Sequence, residues 1–206
     1  LGAEFFVSPQ GDDKASGRSP VAARRSVGKT AAALKPGDTL TILPGEYFES
    51  VSLAVSGEKN APITLRAQRP GTVLLRGDVD LGAFEPVPGL LYTWSTPFDR
   101  EVEGVGERDT GKMYAFVPSP EETQDTRASC FYDSAAKRLY VHTSDSLPPD
   151  RHALVAGLTN GFGMLFKSPR GQKTVSDIVV DGLAFSGYVT RDIATLPGGN
   201  TRWGLY

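Results

Sequence analysis

Residues 35–53 read KPGDTLTILPGEYFESVSL, residues 61–67 read APITLRA, and residues 72–77 read TVLLRG. Their apolar residues come in alternating pairs: Leu40 with Ile42, Val51 with Leu53, Ile63 with Leu65, Val73 with Leu75. Alternation of period two puts one face of an extended strand against a core. Gly or Pro closes these runs and supplies the turns. A near-copy, SDIVVDGLAFSG, occupies residues 176–187. Short strands that recur at about 20–30 residues with no helix between them predict a coiled β-solenoid. Tyr47, after the Pro44-Gly45 turn, is expected to point inward.

Upstream, Glu4 to Ser8 reads as a first strand and Pro9 to Ser19 as a polar loop. Ser19-Pro20 is a helix-start signal, an N-cap hydroxyl followed by Pro where its missing N–H costs nothing. Val27, Ala31 and Leu34 then fall on one helical face, and Pro36-Gly37 ends the helix near Lys35. So narrow an apolar face suits a helix lying as a lid over the open end of the solenoid.

Downstream, residues from Asp78 to about Leu165 lose the rhythm and read as hairpins. Leu91-Tyr-Thr-Trp94 is one strand, and Ser129 to Asp133 faces Arg138 to Thr143 across the short loop 134–137. The expected organisation is a cap with the first coils over 1–78, an inserted antiparallel β-rich subdomain over 79–165, and a return to the solenoid over 166–206. The fold class is all-β.

Composition agrees with a turn-rich β protein: 206 residues carry 23 Gly and 15 Pro, and alternating apolar runs persist throughout. A net charge of −2 with interspersed signs offers no basic stripe for nucleic acid. No apolar run is long enough for a membrane-spanning helix. Cys130 is the single cysteine, so no intrachain disulfide forms; beside Phe131 and Tyr132 it reads as a small buried strand residue. Ala3 is either the last residue before a signal-peptidase cut or part of a cloning scar. Arg202 to Tyr206 looks like the start of a strand with no capping element after it, so the chain is expected to be the N-terminal part of a longer protein.

The segments Phe5-Phe-Val-Ser-Pro-Gln-Gly11, Leu34-Lys-Pro-Gly-Asp-Thr-Leu40, Leu43-Pro-Gly-Glu-Tyr47, Ala61 to Ala67 and Ile178 to Phe185 resemble a known group. They are similar to the N-terminal region of extracellular right-handed parallel β-helix proteins. That superfamily includes pectate lyases, chondroitinase B, alginate lyases and several glycoside hydrolases. The resemblance covers about half the chain, mostly residues 4–80 and 176–187. It implies a right-handed parallel β-helix with an N-terminal capping helix, a location that is secreted, periplasmic or on a bacterial cell surface, and a polysaccharide or surface glycan as partner. It also implies that catalytic groups project from one sheet of central coils, which would follow Tyr206. The expected function is therefore the N-terminal region of a polysaccharide lyase or glycoside hydrolase; the alternative is a non-catalytic surface or carbohydrate-binding β-helix protein. Fold alone does not choose between them.

Within the chain, the catalytic candidates are Asp181, Arg191, Asp192 and Arg202, with Asp177 beside them in the last rung region. A lyase needs a base and a cation or Arg to neutralise a uronate carboxylate. Against this, Asp181-Gly182 is also an ordinary turn pair. Trp94 and Tyr188 are candidate sugar-stacking platforms, with Tyr92 and Tyr114, although core packing accounts for most such rings. Asp78 and Asp80 are candidate oxygen ligands for Ca²⁺, the one cofactor considered; Asp12-Asp13 stands on the same footing. His142, alternating with Leu139 and Val141, is expected on the exposed face of its strand, and His152 in a loop behind Pro148-Pro149. Neither has a second histidine at metal spacing, and no nucleophile elbow or P-loop is present.

Overall fold

The computed structural model describes residues 2–158, 163–166 and 174–188. In chain order the strands begin with β1 (Glu4–Val7), then follow helix α1 (Val27–Ala31), β2 (Thr39–Ile42), β3 (Gly45–Tyr47), β4 (Val51–Leu53), β5 (Ile63–Ala67) and β6 (Val73–Arg76). Next come β7 (Asp78–Asp80), β8 (Glu85–Pro86), β9 (Trp94–Pro97), β10 (Gly104–Glu107), β11 (Lys112–Met113) and β12 (Ala115–Phe116). After helix α2 (Pro120–Thr123) run β13 (Ser129–Asp133), β14 (Arg138–His142) and β15 (Leu154–Gly157). The last described strands are β16 (Met164–Phe166), β17 (Ile178–Asp181) and β18 (Leu183–Ser186). The described residues fall into two units, one holding 2–77 and 163–188, the other 78–158.

In the first unit the chain visits three parallel sheets in turn. Strands β1, β2, β5 and β17 form one sheet, β3, β6 and β18 a second, and β4 with β16 a third. Each circuit lays like residues in register: Phe5 faces Leu40, Leu40 faces Leu65, and Leu65 faces Val180. On the second sheet Tyr47 faces Leu75, which faces Phe185; on the third Leu53 faces Phe166. These inward columns supply one apolar cluster, in which Leu40, Ile42, Leu53, Ile63, Leu65 and Leu75 have no exposed surface. Tyr47 is buried as expected, and its hydroxyl donates to the carbonyls of Val7 and Leu43 at 3.2 and 2.7 Å.

Helix α1 adds Val27 and Ala31 to the same cluster, and Leu34 joins them from the turn after the helix, which ends earlier than the Pro36-Gly37 signal predicts. It starts later than the Ser19-Pro20 signal predicts. That signal opens only a single 3₁₀ turn, Pro20–Ala22, because Arg24 is drawn out as a β-bridge to Val7. Arg24 donates to the Phe6 carbonyl at 2.9 Å, and Ser8 donates back at 2.8 Å. Two carboxylates serve the helix entry instead of a Ser26 cap. Glu49 accepts from the Val27 and Gly28 amides at 2.7 and 2.9 Å, and Asp13 accepts from the Ser26 amide and hydroxyl, both at 2.7 Å. Amides at a helix start have no intrahelical acceptor, and a carboxylate satisfies them well.

The second unit has two sheets, β11-β10-β15-β7 and β12-β13-β14-β9-β8, antiparallel except for the parallel pair β12–β13. Residues of both meet in a second cluster around Val105, Cys130, Leu139, Val141 and Ala156. Cys130 is fully buried there. The sequence boundary after residue 165 cuts through β16, which pairs with β4 in the first unit from Met164 onward. Backbone pairing, invisible in the weak MLF pattern, sets that boundary. Leu91 and Tyr92 are not strand: Tyr92 has φ of 56°, and the strand begins at Trp94.

Replacing Leu65 by Ala removes a filled interior position contacted by neighbouring rungs. The expected loss is about 2–5 kcal/mol of unfolding free energy. Ser52→Ala, on the exposed side of β4, should stay within about 0.5 kcal/mol. Urea denaturation of both variants checks the contrast.

Candidate functional site

In a parallel solenoid the residues alternating with the core columns form rows on the outer surface, where chemistry can meet solvent. On the first sheet one such row runs Thr41, Arg66, Asp181 in register. Glu4 reaches this row from β1: its Oε1 accepts from Thr41 Oγ1 at 2.8 Å and from the Arg66 guanidinium at 2.9 Å. Arg66 Nε also donates to Thr41 Oγ1 at 3.2 Å. The guanidinium and the Glu4 carboxylate thus neutralise one another, while Asp181 is exposed one rung on. Gly182 follows Asp181 with φ of 69°, and a Cβ there would lie 3.1 Å from Pro70 Cα. The Asp-Gly pair is therefore the tight corner between β17 and β18. Asp177 is exposed with φ of 57°, and its carbonyl accepts from the Ile63 amide. Arg191, Asp192 and Arg202 lie outside the described residues.

The remaining sequence candidates have structural partners. Asp78 is buried and Asp80 exposed, and the Arg108 guanidinium lies 3.9 Å from the first and 2.6 Å from the second. A cation of the protein's own thus sits against the pair considered for Ca²⁺. Among the described residues no group of three His, Cys, Asp or Glu side chains has metal-binding geometry. Asp13 of the Asp12-Asp13 pair holds Lys29 at 2.9 Å in addition to the helix entry, and these donors pull its carboxyl far below the usual range. Trp94 packs on the core of the second unit, so it shares no aromatic face with Tyr92, which stacks on His142 at 5.6 Å. Tyr188 packs on the core of the first unit, and its hydroxyl donates to the Glu49 carbonyl at 2.5 Å. Its ring fills the space where Gly77 and Gly163 lack side chains.

His142 differs from the sequence expectation, while His152 lies in the loop behind Pro148-Pro149 as expected. His142 is buried, not exposed, because the α2 turn and the loop after β14 cover the outer end of its strand. Nδ1 lies 2.7 Å from the Thr123 carbonyl and Nε2 2.9 Å from Ser146 Oγ. A carbonyl only accepts, so Nδ1 carries the proton towards it.

His152 is the centre of a cluster that sequence reading missed. Its ring is nearly enclosed, with Nδ1 at 3.2 Å from Asp109 and 3.6 Å from Glu107, and Nε2 at 3.1 Å from Asp145. Carboxylates only accept, so both ring nitrogens are satisfied together only in the imidazolium form. Glu107 is fully buried yet well provided: Thr110 and Tyr114 hydroxyls donate at 2.6 Å, and the Ser144 amide and hydroxyl at 2.8 and 2.7 Å. Burial pushes the Glu107 carboxyl up, but these donors outweigh it and hold it below its ordinary value. The Tyr114 hydroxyl, buried and donating to Glu107, is pushed far up. Glu107 ends β10, Asp109 lies in the turn that follows it and Asp145 lies in another loop; nothing local in the sequence announces that these segments converge. The His152 ring and Glu107 are enclosed, Asp109 and Asp145 are partly exposed, and the pairing of these groups fastens the loops together.

A family model described as Chondroitinase B matches residues 21–92, about a third of the chain. Two solved structures are similar in fold. One is the complex structure of XylC with xylose: 16% identity, TM-score 0.64, covering 90% of this chain and 35% of that one. The other is a glycoside hydrolase: 11% identity, TM-score 0.65, covering 90% and 51%. The chain spans about a third and about half of these two neighbours. No curated protein matches it in sequence.

The cluster predicts a stability maximum in pH. Burial pulls the His152 pKa down, but Asp145 and Asp109 outweigh it, so its folded value lies above 6.5. Its contribution is complete below 6.5 and is lost as pH rises through that raised value. For Asp145 the Leu147 amide leads and for Asp109 the Ala153 amide and His152 outweigh burial, so both lie below 3.8. Their contribution is present above 3.8 and fades as pH falls through the lowered values. Urea midpoints across the pH range should therefore peak between these limits, and His152→Asn should flatten the alkaline limb.

Proposed function

We propose that this chain is the N-terminal scaffold of an exported, carbohydrate-active, right-handed parallel β-helix protein. In this reading it is part of a polysaccharide lyase or glycoside hydrolase whose substrate-handling residues lie on later coils. The observation that carries the proposal is the coincidence of the Chondroitinase B match at 21–92 with helix α1 and the in-register strands β2 to β6. Helix α1 then serves as the cap of the solenoid, and residues 78–158 as a largely antiparallel insertion in the chain between strands β6 and β16. Val180 and Phe166, in register with the buried Leu65 and Leu53, are 39% and 47% exposed. An inward column ending on half-exposed residues calls for another rung to cover it. Polysaccharide is the partner that this reading favours, with export to the periplasm, cell surface or medium.

One observation favours the non-catalytic alternative. The outward Arg66 is engaged by Glu4, and Asp78 and Asp80 by Arg108, so these groups are spent on ion pairs.

The test uses the full-length protein on two polymer panels. Uronate-containing polysaccharides are monitored for unsaturated products at about 235 nm, the β-elimination signature, and neutral glycans for new reducing ends. Product from at least one polymer is expected. Glycan binding without product from either panel would replace the enzyme reading by the binding-protein one.

A further inference from the structure

We infer that the corner between β3 and β4 carries a binding cleft for a neutral pyranose. The inference rests on the carbohydrate-active reading above and names one subsite within it. The cleft has a volume of about 300 Å³, lined by Pro9, Arg25, Glu46, Phe48 and Glu49. That is at the small end of ligand pockets, about 300–1,000 Å³, and suits a single sugar ring.

Phe48 is the unexpected residue. It follows the buried Tyr47 but is 57% exposed, a large apolar ring left facing water. Its position is nevertheless well determined. The Arg76 guanidinium lies 5.1 Å from the ring centroid, and Arg76 is almost fully buried and bonded to Glu46 Oε2 at 2.8 Å. A buried guanidinium against the π-system holds the ring through its quadrupole. The result is a buttressed aromatic surface with carboxylates beside it.

The polar groups complement a ring of hydroxyls. Glu49 is anchored through one bond from each carboxylate oxygen to the Val27 and Gly28 amides, and each oxygen keeps a second lone pair. Glu46 is held at one oxygen by Arg76. Both therefore offer fixed acceptors for sugar hydroxyls, and Arg25 offers donors. A pyranose has an apolar C–H face for Phe48 and a rim of hydroxyls for these groups. Glu46 and Glu49 are balanced by Arg25 and by Arg76, which pairs with Glu46, so the cleft has no excess positive charge to neutralise a uronate carboxylate and suits an uncharged sugar.

Saturation-transfer NMR on this chain tests the cleft with methyl β-D-xylopyranoside, methyl β-D-glucopyranoside and sodium glucuronate. Transfer to ring protons of at least one neutral pyranoside is expected, with weaker transfer to glucuronate. Phe48→Ala should cut the signal about fivefold or more, the scale of a lost stacking contact. Phe48→Trp should keep it, and the unfolding midpoint of each variant reports that the fold persists. No transfer to either pyranoside, a preference for glucuronate, or transfer unchanged in Phe48→Ala each overturns the inference. Failure here leaves polymer cleavage by the full-length protein untouched, and inactivity there leaves pyranoside binding standing.

Discussion

The first unit depends on one constraint: a short strand in a parallel solenoid buries its inner face only against the strands of the next circuit. Three or four residues cannot form a stable core alone. The columns Phe5–Leu40–Leu65–Val180 and Tyr47–Leu75–Phe185 meet that constraint by repeating apolar residues at one register. The corners follow from it, since each must turn the chain without shifting register. Gly182 does this in a left-handed conformation that a side chain would strain. Asp38 fastens the entry by accepting from the Ala3 and Lys35 amides at 2.7 and 2.9 Å.

The second unit is held together differently. Its apolar cluster is supplemented by buried polar groups, among them Glu107, Thr123, Ser129 and His142. Buried charge is costly unless paired, and an incomplete network is worse than none. Here each named group has partners: Glu107 has four donors, and Ser129 Oγ donates to the Thr126 carbonyl at 2.6 Å. Such networks order long loops where too few apolar residues are present to do so.

The same accounting shapes the functional reading. Among the charged residues singled out from the sequence, Asp13 is held by Lys29 and Asp78 and Asp80 by Arg108, the kind of pairing a scaffold requires. Phe48 and its neighbours depart from that pattern, because an ordered aromatic surface is left facing solvent with fixed acceptors around it.

Strand content, the parallel rungs at 39–76 and their echo at 178–186, and the burial of Tyr47 and Cys130 were legible in the sequence. Period-two alternation and Gly/Pro punctuation are local properties, readable a few residues at a time. The start of α1 was not legible, since a bridge between Arg24 and Val7 overrides the Ser19-Pro20 signal. Nor was the burial of His142, which depends on α2 and a following loop folding over its strand. The His152 cluster joins Glu107 and Asp109, from one strand end and its turn, to Asp145 from a separate loop, and the Phe48 surface needs Arg76 from another rung. The sequence by itself determined the repeating inner face, because alternation is written into neighbouring residues. Tertiary structure alone decided which charges meet, because pairing distances arise only when distant segments are packed side by side.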